Sequence, residues 1–147
     1  MIITSPSFNH SGKVPPKFTC DGGNINPQLN ILNVPDGTQS LALIMDDPDA
    51  IGNRTFTHWL IWNIDPKIDA INQESIPIGT IEGKNDAGKI GYLGPCPPDK
   101  KPHRYFFKLY ALDTALNLES DTTKEELESA IKNHIIGKAE LIGIYER

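Results

Sequence analysis

Residues 40–45 read Ser-Leu-Ala-Leu-Ile-Met, a nearly unbroken apolar run of strand length, and Asp46-Asp47-Pro48-Asp49 follows it directly. Such a run is expected at the centre of a sheet, where both faces are covered. Two further segments, Thr57–Ile64 and Arg104–Leu112, are rich in aromatic and β-branched residues, which favour strands. Together the three segments predict the central strands of a mostly β protein.

The remaining elements are predicted to be short strands and one late helix. Leu29–Leu32 and Ala139–Tyr145 have the composition of strands. A helix is predicted to begin at the overlapping capping boxes of Thr122 and Thr123, and Gly137 sits where a residue just beyond the helix end belongs. Because strands follow one another without intervening helices, antiparallel pairing is favoured over parallel β-α-β units.

Two stretches show little periodicity. Residues 1–28 are rich in Ser, Pro, Gly and Asn and predict an irregular, partly extended lead-in on the surface. Residues 65–102 form a long stretch interrupted by proline and glycine. A connection of that length in a compact domain is usually functional or contains short strands.

Length and charge limit the classes of protein that fit. The chain has 147 residues, with 14 Lys and Arg against 19 Asp and Glu, which gives a net charge of −5. This length predicts a single domain, residues 1–147, with its own hydrophobic core. A net negative charge argues against nucleic acid as a partner, and no apolar run is long enough to span a membrane.

The first residues contain no signal-peptide pattern, so the sequence predicts a cytoplasmic protein. Cys20 and Cys96 are 76 positions apart and do not form a metal-type pair. In a reducing compartment they are expected to be free thiols rather than a disulfide. His58 and His103 have no Cys or His at ligand spacing, so neither a metal nor another cofactor is predicted.

Polar residues interrupt the three central strands at positions that could meet. Asp46-Asp47-Pro48-Asp49 follows the first, His58 lies early in the second, and His103-Arg104 begins the third. If the strands are neighbours, these side chains gather at one end of the sheet, where binding pockets commonly form. Each residue also has a structural explanation: a solvated turn for the aspartates, a core histidine, and an ion pair between Arg104 and Asp49.

Six segments in order resemble one known family. They are Phe18–Pro27, Ser40–Ile44, Asp47-Pro48-Asp49-Ala50, His58-Trp59, Gly91–Pro98 and His103-Arg104-Tyr105. The pattern is similar to the phosphatidylethanolamine-binding protein (PEBP) family, in particular its bacterial and archaeal branch, which is related to the Raf kinase inhibitor proteins. The likeness runs from about residue 2 to residue 145, and the Asp-Pro-Asp and His-Arg segments are its most diagnostic parts.

The resemblance implies an antiparallel β-sandwich with one helix in the C-terminal region, an irregular N-terminal lead-in and a small anion pocket at one end. The ligand-binding residues that it implies are Asp47, His58, Pro97, Pro98, His103 and Tyr105, supported by Pro48, Asp49, Trp59 and Arg104. Ile51 and Lys101-Pro102 depart from the family pattern at the rim, but no pocket side chain is lost.

By this resemblance the chain is expected to bind a small anion or a phosphorylated head group without catalysis. Such proteins engage partner proteins, including kinases and proteases, and bacterial relatives tend to form homodimers. Two alternatives stay open. One is a hydrolase that uses Cys96 as a nucleophile or His58 and His103 as an acid–base pair. The other is an interaction scaffold whose pocket is vestigial.

Overall fold

Nine strands form two sheets in the computed structural model, which describes residues 1–147. The strands are β1 (Ile2–Thr4), β2 (Gly12–Lys13), β3 (Leu29–Leu32), β4 (Ser40–Ala50), β5 (Arg54–Ile64), β6 (Ala70–Ile71), β7 (Ile81–Glu82), β8 (His103–Leu112) and β9 (Ile135–Tyr145). The small sheet has the order β1-β3-β6 and the large sheet the order β2-β9-β8-β4-β5-β7. Every pair is antiparallel except β2 with β9.

The alternation along β4 explains how the large sheet packs on both faces. Leu41, Leu43 and Met45 belong to the main core, which lies between the two sheets and also contains Ile3 and Ile31 of the small sheet. The intervening residues of β4 face the other way and form a second core with the helix, whose members are Ala42, Ile44, Leu60, Trp62, Leu112, Leu127 and Ile131. The predicted central strands and the β-sandwich are therefore confirmed.

The predicted helix is present but shorter than expected. Helix α1 (Lys124–Ile131) begins after Thr123, whose hydroxyl accepts a hydrogen bond from the Glu126 amide. Gly137 does not end this helix, because it lies inside β9 opposite Ala111. A Cβ at this position would lie 2.8 Å from Cγ of Pro35, so the glycine permits a close approach of two segments. No helix here has the length and apolar character needed to cross a membrane.

The two stretches of low periodicity contain short strands within irregular backbone. Residues 1–28 include β1, β2 and a turn of 3₁₀-helix at Pro16–Phe18. Residues 65–102 include β6 and β7, which extend one edge of each sheet. These strands are two or three residues long, too short for side-chain alternation to reveal them in the sequence.

The prediction of free thiols is wrong, because Cys20 and Cys96 form a disulfide with their Cα atoms 5.5 Å apart. The N-terminal segment runs alongside the loop before β8 and hydrogen-bonds to it. The Cys20 amide donates to the Pro95 carbonyl at 3.1 Å, and the Gly94 amide donates to Oδ1 of Asn24 at 2.7 Å. The 76 positions between Cys20 and Cys96 therefore do not keep the two residues apart in the folded protein. Cys96 has no free thiol to act as a nucleophile.

Candidate functional site

A cavity of about 220 Å³ opens at one end of the large sheet, where the end of β4 meets the first halves of β5 and β8. The six predicted ligand-binding residues all line it: Asp47, His58, Pro97, Pro98, His103 and Tyr105. The other lining residues are Ala50, Ile51, Arg54, Phe56 and Cys96. This volume suits a small group such as a phosphate or a short head group rather than a drug-sized ligand.

A β-bulge brings His58 to the cavity. Met45 pairs with Trp59 and the next residue, Asp46, pairs with Thr57, so His58 is the extra residue between them. Trp59 lies in the main core and His58 lines the cavity, although alternation would put these neighbours on opposite faces. A bulge re-aims side chains in this way, and bulges are common beside binding sites.

His103 lies between two carboxylates. Its Nδ1 is 2.7 Å from Oδ2 of Asp47, and its Nε2 is 2.9 Å from Oδ1 of Asp99. Burial opposes a charge on this ring, but the hydrogen bonds and negative charges of Asp47 and Asp99 outweigh that effect and raise the pKa of His103. With a carboxylate at each nitrogen, the ring is best described as an imidazolium that donates from both.

His58 has the opposite electrostatic environment. Burial lowers the pKa of His58, and the hydrogen bond to Leu93 and the charge of Asp47 offset this only in part. Its Nδ1 is 2.8 Å from the Leu93 carbonyl oxygen, which can only accept, so Nδ1 carries a proton. Nε2 has no protein partner. The neutral ring thus presents a bare Nε2, and an N–H there appears when the ring is protonated.

An aromatic wall holds the two histidines. The ring of His58 packs edge-on against Tyr105 with centroids 5.2 Å apart and lies 4.9 Å from Phe56. His103 stacks near-parallel to Tyr105 at 6.4 Å. Burial raises the pKa of the Tyr105 hydroxyl above its usual value, so the hydroxyl stays neutral and is able to donate.

The four predicted supporting residues do not line the cavity. Asp49 and Arg104 form a partly exposed ion pair, with Nε of Arg104 2.8 Å from Oδ2 of Asp49. Pro48 lies between Asp47 and Asp49 in β4. Trp59 is fully buried and donates from Nε1 to Oε2 of Glu82 at 2.8 Å. Their positions support the strand ends rather than offering groups to a ligand.

Sequence reasoning missed three contributors to the site. Arg54 and Phe56 reach the cavity because β5 begins at Arg54, three residues earlier than expected. The alternation of Arg54 and Phe56 could have indicated this extension. Nothing in the sequence singled out Asp99, whose contact with His103 depends on the turn before β8.

Comparisons with known proteins agree with this architecture. A family model described as phosphatidylethanolamine-binding protein matches residues 4–146. The UPF0098 protein of Methanothermobacter thermautotrophicus is 46% identical over 152 residues, which cover all of this chain and 99% of that protein. The UPF0098 protein of Pyrococcus horikoshii is 47% identical and is aligned over 99% of this chain and 77% of its own length.

Solved structures give the same result. A phosphatidylethanolamine-binding protein homologue from Chlamydia trachomatis superposes with a TM-score of 0.94 at 40% identity, covering 99% of this chain and 97% of that one. YbcL of Escherichia coli, described as a member of the mammalian PEBP family, gives a TM-score of 0.92 at 30% identity with the same coverage. The sequence, the fold and the family match agree, and the chain belongs to the phosphatidylethanolamine-binding protein family.

Proposed function

We propose that this protein binds a small oxyanion, a phosphate or the phosphoryl group of a larger molecule, in the cavity at the end of the large sheet. The observation that carries the proposal is the convergence of His58, His103, Tyr105 and Asp47 on one cavity of about 220 Å³. The Tyr105 hydroxyl is a donor suited to a phosphoryl oxygen, and Nε2 of His58 becomes a second donor when its ring is protonated. Arg54 at the cavity wall adds a further positive charge.

His58 makes this binding depend on pH. In the free protein its Nε2 is bare while the ring is neutral, so an unprotonated anion gains a donor there only when the ring takes up a proton. Anion binding and protonation of His58 therefore favour each other. Because burial lowers the pKa of free His58, affinity increases as the pH falls through and below the ordinary histidine range.

Calorimetric titration with sulfate and with inorganic phosphate at about pH 5.5 and about pH 8 tests the proposal. Sulfate keeps the same charge over this range, so any change in its affinity comes from the protein. We expect tighter sulfate binding at the lower pH and a loss of roughly tenfold in His58→Gln, as for one charged hydrogen bond. Sulfate affinity that is equal at both pH values in the wild type would contradict the proposal.

A matched control is His134→Gln. His134 is half-exposed and pairs with Asp113 beyond the opposite end of β8, with Nδ1 2.7 Å from Oδ1. This change removes one imidazole without touching the cavity, so it should leave both the affinity and its pH dependence unchanged. An equal effect of the two substitutions would indicate nonspecific attraction between anions and histidine charge.

We further propose that the protein acts on partner proteins, in the manner of kinase or protease inhibitors, without catalysis of its own. The support is family membership and a cavity that lacks a free thiol.

The homodimer and the cytoplasmic location expected from the sequence remain proposals. Disulfides persist mainly in oxidising compartments and in the cytoplasm of hyperthermophiles. Sedimentation analysis and cell fractionation would test the assembly state and the location.

A further inference from the structure

Asp99 reaches the pocket histidine from the turn that precedes β8. Its Oδ1 accepts from Nε2 of His103 at 2.9 Å and from the Lys101 amide at 3.1 Å. Lys100, between them, has a left-handed backbone with φ of 59°. The turn thus holds a carboxylate against the ring nitrogen that Asp47 does not use.

This contact leaves His103 without a donor for a ligand. An imidazolium has two N–H groups, and here Asp47 accepts one and Asp99 the other. The His103 side chain is 3% exposed, so no further approach to its nitrogens is open. An anion can hydrogen-bond to His103 only if it takes the place of one of the two carboxylates.

Asp99 is the carboxylate that is able to leave. The Asp47 side chain is 4% exposed, and its second oxygen, Oδ1, accepts from the Asp49 amide at 2.7 Å. The Asp99 side chain is 30% exposed and lies in a turn rather than in a strand. When Asp99 moves out, water can solvate both its carboxylate and the Lys101 amide, whereas a displaced Asp47 would be a buried charge without a partner.

We propose that Asp99 is an internal competitor for the oxyanion, which occupies the ligand's place at His103 in the free protein. The inference rests on the proposed function, because it concerns the same cavity. A ligand binds fully only in the fraction of molecules whose Asp99 has swung away, and its apparent affinity is reduced by that fraction. Asp99 thereby sets the concentration of oxyanion that is needed before the ligand binds to both His58 and His103.

The test is a titration with inorganic phosphate of the wild type, Asp99→Ala and Asp99→Asn. Removal of the competitor in Asp99→Ala should tighten phosphate binding by about threefold to tenfold. Asp99→Asn keeps an oxygen acceptor and the turn but loses the charge, so its affinity should lie between the other two. In the His103→Gln background, Asp99→Ala should produce no gain, since the nitrogen for which Asp99 competes is absent.

Asp113→Asn is the charge-matched control. Asp113 directly follows β8 at the end opposite to His103, and its side chain is half-exposed. This substitution removes one negative charge from the same protein without touching the pocket, so phosphate affinity should stay at the wild-type value. A gain equal to that of Asp99→Asn would show a general charge effect and would overturn the inference.

The other outcomes separate this inference from the proposed function. If the wild type binds phosphate and Asp99→Ala binds no more tightly, Asp99 is not a competitor, while anion binding stands. A gain that persists in the His103→Gln background would likewise overturn the inference. If none of the proteins binds phosphate, both ideas fail together. Binding by Asp99→Ala alone would support the competitor and the anion site at once.

Discussion

The two pocket histidines differ in charge because their hydrogen-bond partners differ. His103 faces the carboxylates of Asp47 and Asp99 and has a raised pKa, whereas His58 faces a carbonyl group and has a lowered one. Their surroundings thus favour the charged form of the His103 ring and the neutral form of the His58 ring. A sequence shows that two histidines are present but not which partner each ring meets.

At the scale of single residues, we predict that Asp47→Asn lowers the pKa of His103, because a nearby opposite charge and its hydrogen bond are lost. Imidazole resonances followed by NMR during a pH titration measure this directly. In the wild type, His103 should titrate above 6.5 and His58 below it. A wild-type His103 that titrates below His58 would contradict this assignment.

These pKa shifts also determine the sign of the pH dependence of stability. The pKa of His103 is higher in the folded state than in the unfolded state. Its contribution to the free energy of unfolding is therefore complete below the unfolded pKa of about 6.5 and is lost as the pH rises through the folded pKa. The pKa of His58 is lower in the folded state, so its contribution to the free energy of unfolding is lost as the pH falls through the folded pKa. His103→Gln should therefore remove the loss of stability at higher pH.

At the scale of elements, helix α1 is held to the sheet by a buried charge cluster as well as by its apolar face. Asp46 points to the helix side of β4, and its Oδ2 accepts from Nζ of Lys108 at 3.0 Å and of Lys124 at 2.9 Å. The Asp46 side chain is 1% exposed, and its Oδ1 has no partner. Neighbouring aspartates of one strand therefore serve opposite faces: Asp46 anchors the helix and Asp47 the pocket.

We predict that Asp46→Ala lowers the free energy of unfolding by about 1.5–3 kcal/mol, because Lys108 and Lys124 both lose their charged hydrogen-bond partner. Lys124→Met should cost less, because Lys108 still pairs with Asp46. Urea denaturation of each variant measures these differences. Asp113→Ala, which breaks an exposed pair, should cost under about 1 kcal/mol. Equal losses of unfolding free energy in Asp46→Ala and Asp113→Ala would show that the cluster does not stabilise the helix more than an exposed ion pair does.

The strands could be predicted because their signals are local, but the bulge could not. Apolar and β-branched runs specify β4, β5 and β8 within each segment. The extra residue at His58 depends on how β5 pairs with β4, and that register is set by contacts between strands. The family resemblance predicted the six pocket residues. The bulge that turns His58 toward the pocket is visible only in the structure.

At the scale of the whole molecule, the disulfide joins the N-terminal segment to the wall of the cavity. Cys96 lines the cavity between Pro95 and Pro97, and Cys20 lies 76 positions earlier. The sequence did not reveal this pair because nothing local brings the two segments together. Their contact depends on the fold, which places the segment around Cys20 against the loop before β8.

Cys20→Ala with Cys96→Ala should lower the free energy of unfolding by about 4 kcal/mol, the value expected for a cross-link that closes a loop of this length. Unfolding monitored with and without a reductant should show the same difference for the wild type and none for the double variant. The native wild type should also contain no thiol that reacts with a thiol reagent. Two reactive thiols in the unreduced protein would contradict the disulfide.

The most direct test of the proposed anion pocket is an NMR titration of the imidazole resonances with phosphate and with phosphorylethanolamine. We predict that His58 and His103 both shift and saturate and that His134 does not. If neither pocket histidine responds at millimolar concentrations of either compound, the cavity is not an anion site.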